Sequence, residues 1–268
     1  FGTATFEQAE SKMQAAALRL ALDKIGRSCD EVDLILAGDL LNQCVASAYG
    51  MRAAGRPFLG LYGACSTMAE SALLASLLVS TGVTDLTAAV TSSHFSGAER
   101  QFRQPLEYGG QRPPSAQWTV TAAGCLLFGK TPATLRVTAV RAGRIVDAGV
   151  RDMTNMGACM APAAAATLAG FFRDTQTAPS DYSRIATGDL GFIGADLLTE
   201  LLAREGYRLG EEYRDCGKMI FDREVQDVHS GGSGCGCSAA VLSCVLLPEL
   251  AKTPTGKLLF CATGALMS

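Results

Sequence analysis

Cys65 sits in Gly63-Ala64-Cys65-Ser66-Thr67-Met68-Ala69, where a tight turn of small residues opens an apolar run. Ser66 is of a type that starts helices. A thiol at a helix N-terminus feels the positive end of the macrodipole, which favours the thiolate and so a nucleophile. An inert thiol filling a crowded turn is the competing reading. His229 lies in Asp227-Val228-His229-Ser230-Gly231-Gly232-Ser233-Gly234. Such a glycine-rich bend lets backbone approach a ligand or another part of the chain. A cysteine with a histidine is the pair used in nucleophilic catalysis. His94, in Ser92-Ser93-His94-Phe95, ends a strand-like run. It either faces a cleft or ties down the loop that follows, and the loop is favoured. Cys261, in Phe260-Cys261-Ala262-Thr263-Gly264, ends a similar run and either faces the same site or fills core. Asp39 and Asp189 each stand in Gly-Asp-Leu, and that recurrence assigns both to capping the next helix.

Residues 100 to 119 hold a second group: Arg100, Arg103, Arg112, Tyr108 and Trp118. Pro105, Gly109, Gly110, Pro113 and Pro114 among them predict a loop excursion, of the length that lids and interface arms have. Ten cysteines are present, but there is no Cys-x-x-Cys pair and there are two histidines, so no metal site is expected. Cys125, Cys244 and Cys261 lie in apolar runs, where a free thiol acts as a small hydrophobe. Reduced thiols inside a cell follow. The glycines from 231 to 236 lack the Gly-Lys-Ser/Thr of a phosphate loop, and they do not form a dinucleotide fingerprint after a strand.

Hydrophobic residues make up 48% of the 268 and charged residues 18%, which excludes intrinsic disorder. The same balance calls for a large core or a subunit interface. A net charge of −3 with a pI near 5.5 supplies no basic face for nucleic acid. Apolar runs such as Ala72 to Val79 fall well short of the roughly 18 residues of a membrane span. The chain opens Phe-Gly-Thr and stops at Met267-Ser268 straight after a strand-like run, which reads as trimming at both ends.

The elements that must position these residues recur. Val32 to Leu40 and Tyr182 to Leu190 both read as buried strands ending Gly-Asp-Leu. Helical segments, Ala9 to Ile25 and Ala161 to Phe172, precede them. The turn at Cys65 is echoed by Gly234-Cys235-Gly236-Cys237-Ser238, and each opens an apolar helix that leads to a further strand, Leu86 to Thr91 and Leu258 to Ala262. The spacing between the copies grows once, which predicts an insertion of about twenty residues after Leu190, including Gly206 to Asp227. Alternating strand and helix in two copies predict an α/β fold of duplicated halves, residues 1–150 and 151–268, with mixed sheets. Two central helices apolar on nearly every face belong between sheets. The result is a five-layered α-β-α-β-α body in one compact unit.

Gly63 to Ser71 with Thr91-Ser92-Ser93-His94 resembles the thiolase and ketoacyl-synthase superfamily. In that superfamily Cys65 would be the nucleophile that starts the first half's buried helix. His229 before Gly232-Ser233-Gly234 resembles its catalytic histidine, and Cys261-Ala262-Thr263-Gly264 its second cysteine and glycine turn. The residues from Ala37 to Cys44, Phe58 to Ser71, Ser92 to Thr121, Asn155 to Pro162 and Asp227 to Ala239 are more closely similar to the stage V sporulation protein AD family of spore-forming bacteria.

That resemblance implies a spore protein, peripheral to the inner membrane, which works there with other SpoVA proteins. It implies binding of dipicolinic acid, free or as its calcium chelate, and help in moving it into the developing spore. The ligand would lie in the vestigial thiolase-type pocket around Cys65, with no cofactor and no metal, in a homodimer. Dipicolinate is planar and doubly anionic, so N–H donors and bidentate arginines suit it. The expected binding set is therefore Cys65, Ser66, His94, Arg100, Arg112 and His229, with Trp118 or Tyr108 stacked on the ring. The chain departs from the enzymes of the superfamily: His229 lacks the Gly-His-Pro setting of thiolases, and no Asn follows Asn155. An active acyl-transferring condensing enzyme, with Cys65 as nucleophile and His229 as base, is the alternative.

Overall fold

The computed structural model describes residues 2–102 and 110–265. Helix α1 (Phe6–Lys24) starts where the Thr5 side chain accepts the Gln8 N–H, and it buries Glu10, Gln14, Leu18 and Leu22, a stripe of one residue per turn. Strand β1 (Leu34–Gly38) is buried along nearly its whole length, as a central strand covered on both faces must be. Helix α2 (Val45–Met51), strand β2 (Phe58–Leu61), helix α3 (Thr67–Ser80) and strand β3 (Leu86–Ser93) follow. Helix α4 (Phe95–Phe102), strand β4 (Trp118–Thr119) and strand β5 (Ala122–Gly129) come next. The later elements are helix α5 (Met156–Thr175), strand β6 (Arg184–Thr187), helix α6 (Gly191–Arg204), strand β7 (Tyr213–Asp215) and helix α7 (Cys216–Met219). Strand β8 (Gly232–Ser233), helix α8 (Cys235–Val241), helix α9 (Leu247–Ala251) and strand β9 (Leu258–Cys261) complete the order.

One sheet has the order β2-β1-β3-β5, parallel except for β5, which runs against β3. A second has the order β7-β6-β9, all parallel. The short strands β4 and β8 pair in parallel, Trp118 opposite Gly232. Helices α3 and α8 lie between the sheets: Met68 of α3 shares a core cluster with Cys237 and Val241 of α8 and Ala186 of β6. Helices α1 and α2 cover the outside of the first sheet, and α5 and α6 that of the second. The two central helices differ. Helix α8 is buried from Cys235 to Ala239, whereas α3 buries Thr67, Met68, Ser71 and Ala75 and leaves Leu77 exposed. Apolar composition alone does not separate a helix enclosed all round from one with an open apolar face.

Three local expectations change. Residues 95–102 are helical, so Arg100 stands on α4 and not in a loop, and Trp118 stands in a strand. Arg103 and Tyr108 lie outside the described residues. The added length in the second half is not one block: α6 has 14 residues against 7 in α2, and the rest lies between β7 and α8. Helix α5 begins earlier than Ala161, where the Asn155 side chain accepts the Ala158 N–H, and carries Pro162 within it.

Candidate functional site

The turn that carries Cys65 is held by its own hydroxyls. The Gly63 N–H donates to Thr67 Oγ1 at 3.1 Å, and Thr67 Oγ1 donates to the Ala64 carbonyl at 2.7 Å. Ser66 Oγ donates to the Gly63 carbonyl at 2.6 Å. Ser66 thus closes the turn rather than capping α3 with its side chain. Ala64 adopts φ +50°, a left-handed conformation that costs a non-glycine residue roughly 1–3 kcal/mol. Cys65 is 6% exposed. The turn after β9 packs on it: a Cβ at Gly264 would come within 2.4 Å of the Gly63 carbonyl oxygen. The two cysteine-bearing turns, at Cys65 and Cys261, therefore meet, and both thiols belong to the same core cluster. Burial pushes the Cys261 thiol up to about 12, so it behaves as a hydrophobe.

The groups acting on the Cys65 thiol are Asp189, Ser233 and the Gly234 N–H. Burial, then the charge of Asp189 and a hydrogen bond to it, hold the thiol well above its ordinary value. Burial and the Asp189 carboxyl thus oppose the thiolate that the helix start would favour. Asp189 is fully buried. Its Oδ2 accepts the Gly234 N–H at 2.6 Å, and Oδ1 is buried with no conventional hydrogen-bond partner. Burial raises this carboxyl to about 7, with the nearby Asp215 adding to the rise.

The two Gly-Asp-Leu copies have diverged in role. Asp39 accepts the Leu41 and Ser47 N–H groups, each at 2.8 Å, and so closes the approach to α2 as a cap would. Asp189 does not cap α6. The Leu190 and Gly191 N–H groups go instead to Asp215, at 2.8 and 2.9 Å, and Asp215 rises to about 6 through burial. Asp215 stands at the end of β7, in the stretch read from sequence as insertion, so nothing local marked it. With its capping task taken over, Asp189 faces Cys65 and the start of α8.

That start is pinned by the end of β3. Cys235 Sγ donates to the Ser92 carbonyl at 3.1 Å, and the Gly236 N–H donates to Ser93 Oγ at 3.1 Å. A Cβ at Gly236 would lie 2.4 Å from the Ala122 carbonyl oxygen, so the helix can sit this close only with glycine there.

His229 pairs with Asp227, Nε2 to Oδ1 at 3.1 Å, while its Nδ1 is buried without a partner. The groups that act on the Cys65 thiol are Asp189, Ser233 and Gly234, and His229 is not among them. Its neighbour Val228 lines a cleft of 590 Å³ with Phe95, Trp118, Val120 and Phe221. His94 ties down the start of α4: its Nδ1 accepts the Gly97 N–H at 3.4 Å, and its ring meets Phe6 at 5.2 Å. Burial lowers its pKa.

The arginines expected at the ligand are both paired with acids. Arg100 pairs with Glu7 and lies over the Phe6 ring. Arg112 forms a two-point pair with the fully buried Glu99, donates to the Gln117 carbonyl at 3.0 Å, and stacks 3.9 Å above Trp118. Trp118 also stacks on Phe95. The sequence shows the charge of these arginines but not the acids, Glu7 and Glu99, that the fold brings to them.

A family model described as stage V sporulation protein AD (SpoVAD) matches residues 1–268. The chain is 42% identical over 264 residues to stage V sporulation protein AD of Bacillus subtilis (strain 168), covering 98% of this chain and 78% of that protein. Among solved structures, it is similar to 3-oxoacyl-[acyl-carrier-protein] synthase III from Aquifex aeolicus, with a TM-score of 0.62 at 12% identity, covering 96% of this chain and 81% of that one. It is also similar to a Xanthomonas campestris OleA variant with cerulenin, with a TM-score of 0.69 at 11% identity, covering 95% and 76%. At such identities the likeness shows the fold, which is thiolase-like.

Proposed function

The chain belongs to the stage V sporulation protein AD family, and from that membership we propose that it binds dipicolinic acid and assists its uptake into the developing spore. It is a sporulation protein on a thiolase-like scaffold. The observation that carries a binding role is the partner of Cys65. A condensing enzyme needs a thiolate there. Here the thiol faces the Asp189 carboxyl, and burial together with that charge disfavours the thiolate. The ligand would rest on the turn of Cys65 and Ser66, with Arg100 and Arg112 stiffening the α4 and β4 wall.

Among the described residues, no helix is long and apolar enough to cross a membrane. Action in the spore, peripheral to the inner membrane beside other SpoVA proteins, suits that fact. A homodimer is part of the same reading. Strand β2 pairs only with β1 among the described residues, and Leu59, Tyr62 and Tyr49 near that edge are exposed.

Calorimetric titration with dipicolinate, against benzene-1,3-dicarboxylate as control, tests the function, with and without calcium. Saturable heat for dipicolinate alone is the expected result. Equal heats for the two dicarboxylates, or none for either, would overturn it.

A further inference from the structure

A dianion bound at Cys65 meets a conflict of charge. The nearest ionisable groups are acids and thiols, with the Tyr62 phenol also within the field of Cys65 and no cation among them. Asp189 itself touches Cys65 on the turn before α3 and Ser233 at the end of β8, with Asp215 close by at the end of β7. Cys216 on α7 and Cys237 on α8 lie within its field. The Gly234 N–H holds Oδ2, and Gln117 Nε2 is spent on the Asp189 and Gly232 carbonyls, at 2.8 and 2.7 Å. Among the described residues, no Lys, Arg or His forms an ion pair with Asp189 or Asp215. The first half repeats the pattern: Glu10 and Asp39 are both buried, and their charges oppose each other. Cys235, at the start of α8, lies within the fields of Asp39, Glu10 and Asp189 alike.

One atom resolves the conflict. Asp189 Oδ1 is buried and makes no conventional hydrogen bond, so it can carry a proton without breaking the contact that Oδ2 makes to α8. The geometry points to Asp189 as a proton-linked specificity residue: a dicarboxylate binds at the Cys65 turn together with one proton, taken up on Asp189. This rests on the binding function proposed above. The neutral acid removes the repulsion and adds an O–H donor beside the ligand. The proton comes from solvent and returns to it on release, so the balance needs no other reactant.

The pH window follows from the free site, where Asp189 is held at about 7. Below that value the proton is already in place, and affinity is flat. Above it each binding event must draw a proton from solvent, and affinity falls up to tenfold per pH unit.

The test is titration with dipicolinate at pH 8 in two buffers of different ionisation enthalpy. The expected result is uptake of nearly one proton per ligand by the unaltered chain. Asp189→Asn should bind with no uptake and with affinity independent of pH from 6 to 9. Binding without proton uptake by the unaltered chain would overturn the coupling and leave the binding function standing. Uptake that persists in Asp189→Asn would overturn the assignment to this residue. Absence of binding at every pH would overturn the binding function, and the coupling with it. The buffer comparison on the unaltered chain decides the coupling whether or not the variant folds.

Discussion

At the scale of single residues, side chains of the same type take different tasks because of what the fold sets against them. Asp39 and Asp189 share a tripeptide, yet one closes a helix approach and the other confronts a thiol. The residue types at the site were legible: Cys65, its small-residue turn and the Cys261 turn that meets it. The partners were not, because Asp189 is paired with Cys65 by a tertiary contact across 124 positions of chain that no local pattern encodes. Arg112 gives the clearest energetic consequence. It neutralises Glu99, whose side chain is 0% exposed, through two contacts of matched planar geometry. Removing one partner of a buried pair leaves an uncompensated charge, at a cost of about 3–5 kcal/mol. Arg112→Ala should lose stability of that order in urea unfolding, and Arg112→Lys should recover only part of it. A loss below about 1 kcal/mol would show that the pair is not a support of the wall.

At the scale of elements, the recurring strand, Gly-Asp-Leu and apolar-helix pattern made the two sheets and the central helices legible. Each depends on a run of residues rather than on a distant contact. Helix α4 was missed because its last turn, from Arg100, was read with the proline- and glycine-rich stretch that follows. Strand β7 was missed because three residues carry too little pattern. The packing of turns on turns is also invisible until the halves are assembled, and it yields a test. Gly264→Ala would place a Cβ 2.4 Å from the Gly63 carbonyl oxygen, where real contacts do not occur. The Cys65 turn must then move. The expected outcome is at least a tenfold loss of dipicolinate affinity with unchanged far-ultraviolet circular dichroism, since overpacking of this kind typically costs about 1–3 kcal/mol. Unchanged affinity would separate the Cys261–Gly264 turn from the site.

At the scale of the whole molecule, a thiolase-like scaffold encloses buried acids, Glu10 and Asp39 in one half and Asp189 and Asp215 in the other. Its open edge belongs to the same scale. If β2 meets its copy, light scattering at micromolar concentration should give twice the chain mass. Leu59→Arg should return the mass of one chain, because Leu59 is exposed on that edge. A monomeric unaltered chain would remove the dimer. Stability should also follow the buried carboxyls. Asp189 at about 7 and Asp215 at about 6 lie above the ordinary value near 3.8, so their contribution is fully present below that value. It is lost as pH rises from about 4 through 6 and 7, so urea midpoints should fall across that range and level off above it. A shielded Cys65 thiol is central to the binding role, and mass spectrometry after timed iodoacetamide labelling reads it directly. Cys244, which is exposed, should be alkylated well before Cys65 throughout pH 7 to 9. Labelling of Cys65 ahead of Cys244 at pH 7 would reveal a nucleophilic thiolate and overturn the binding role in favour of acyl transfer.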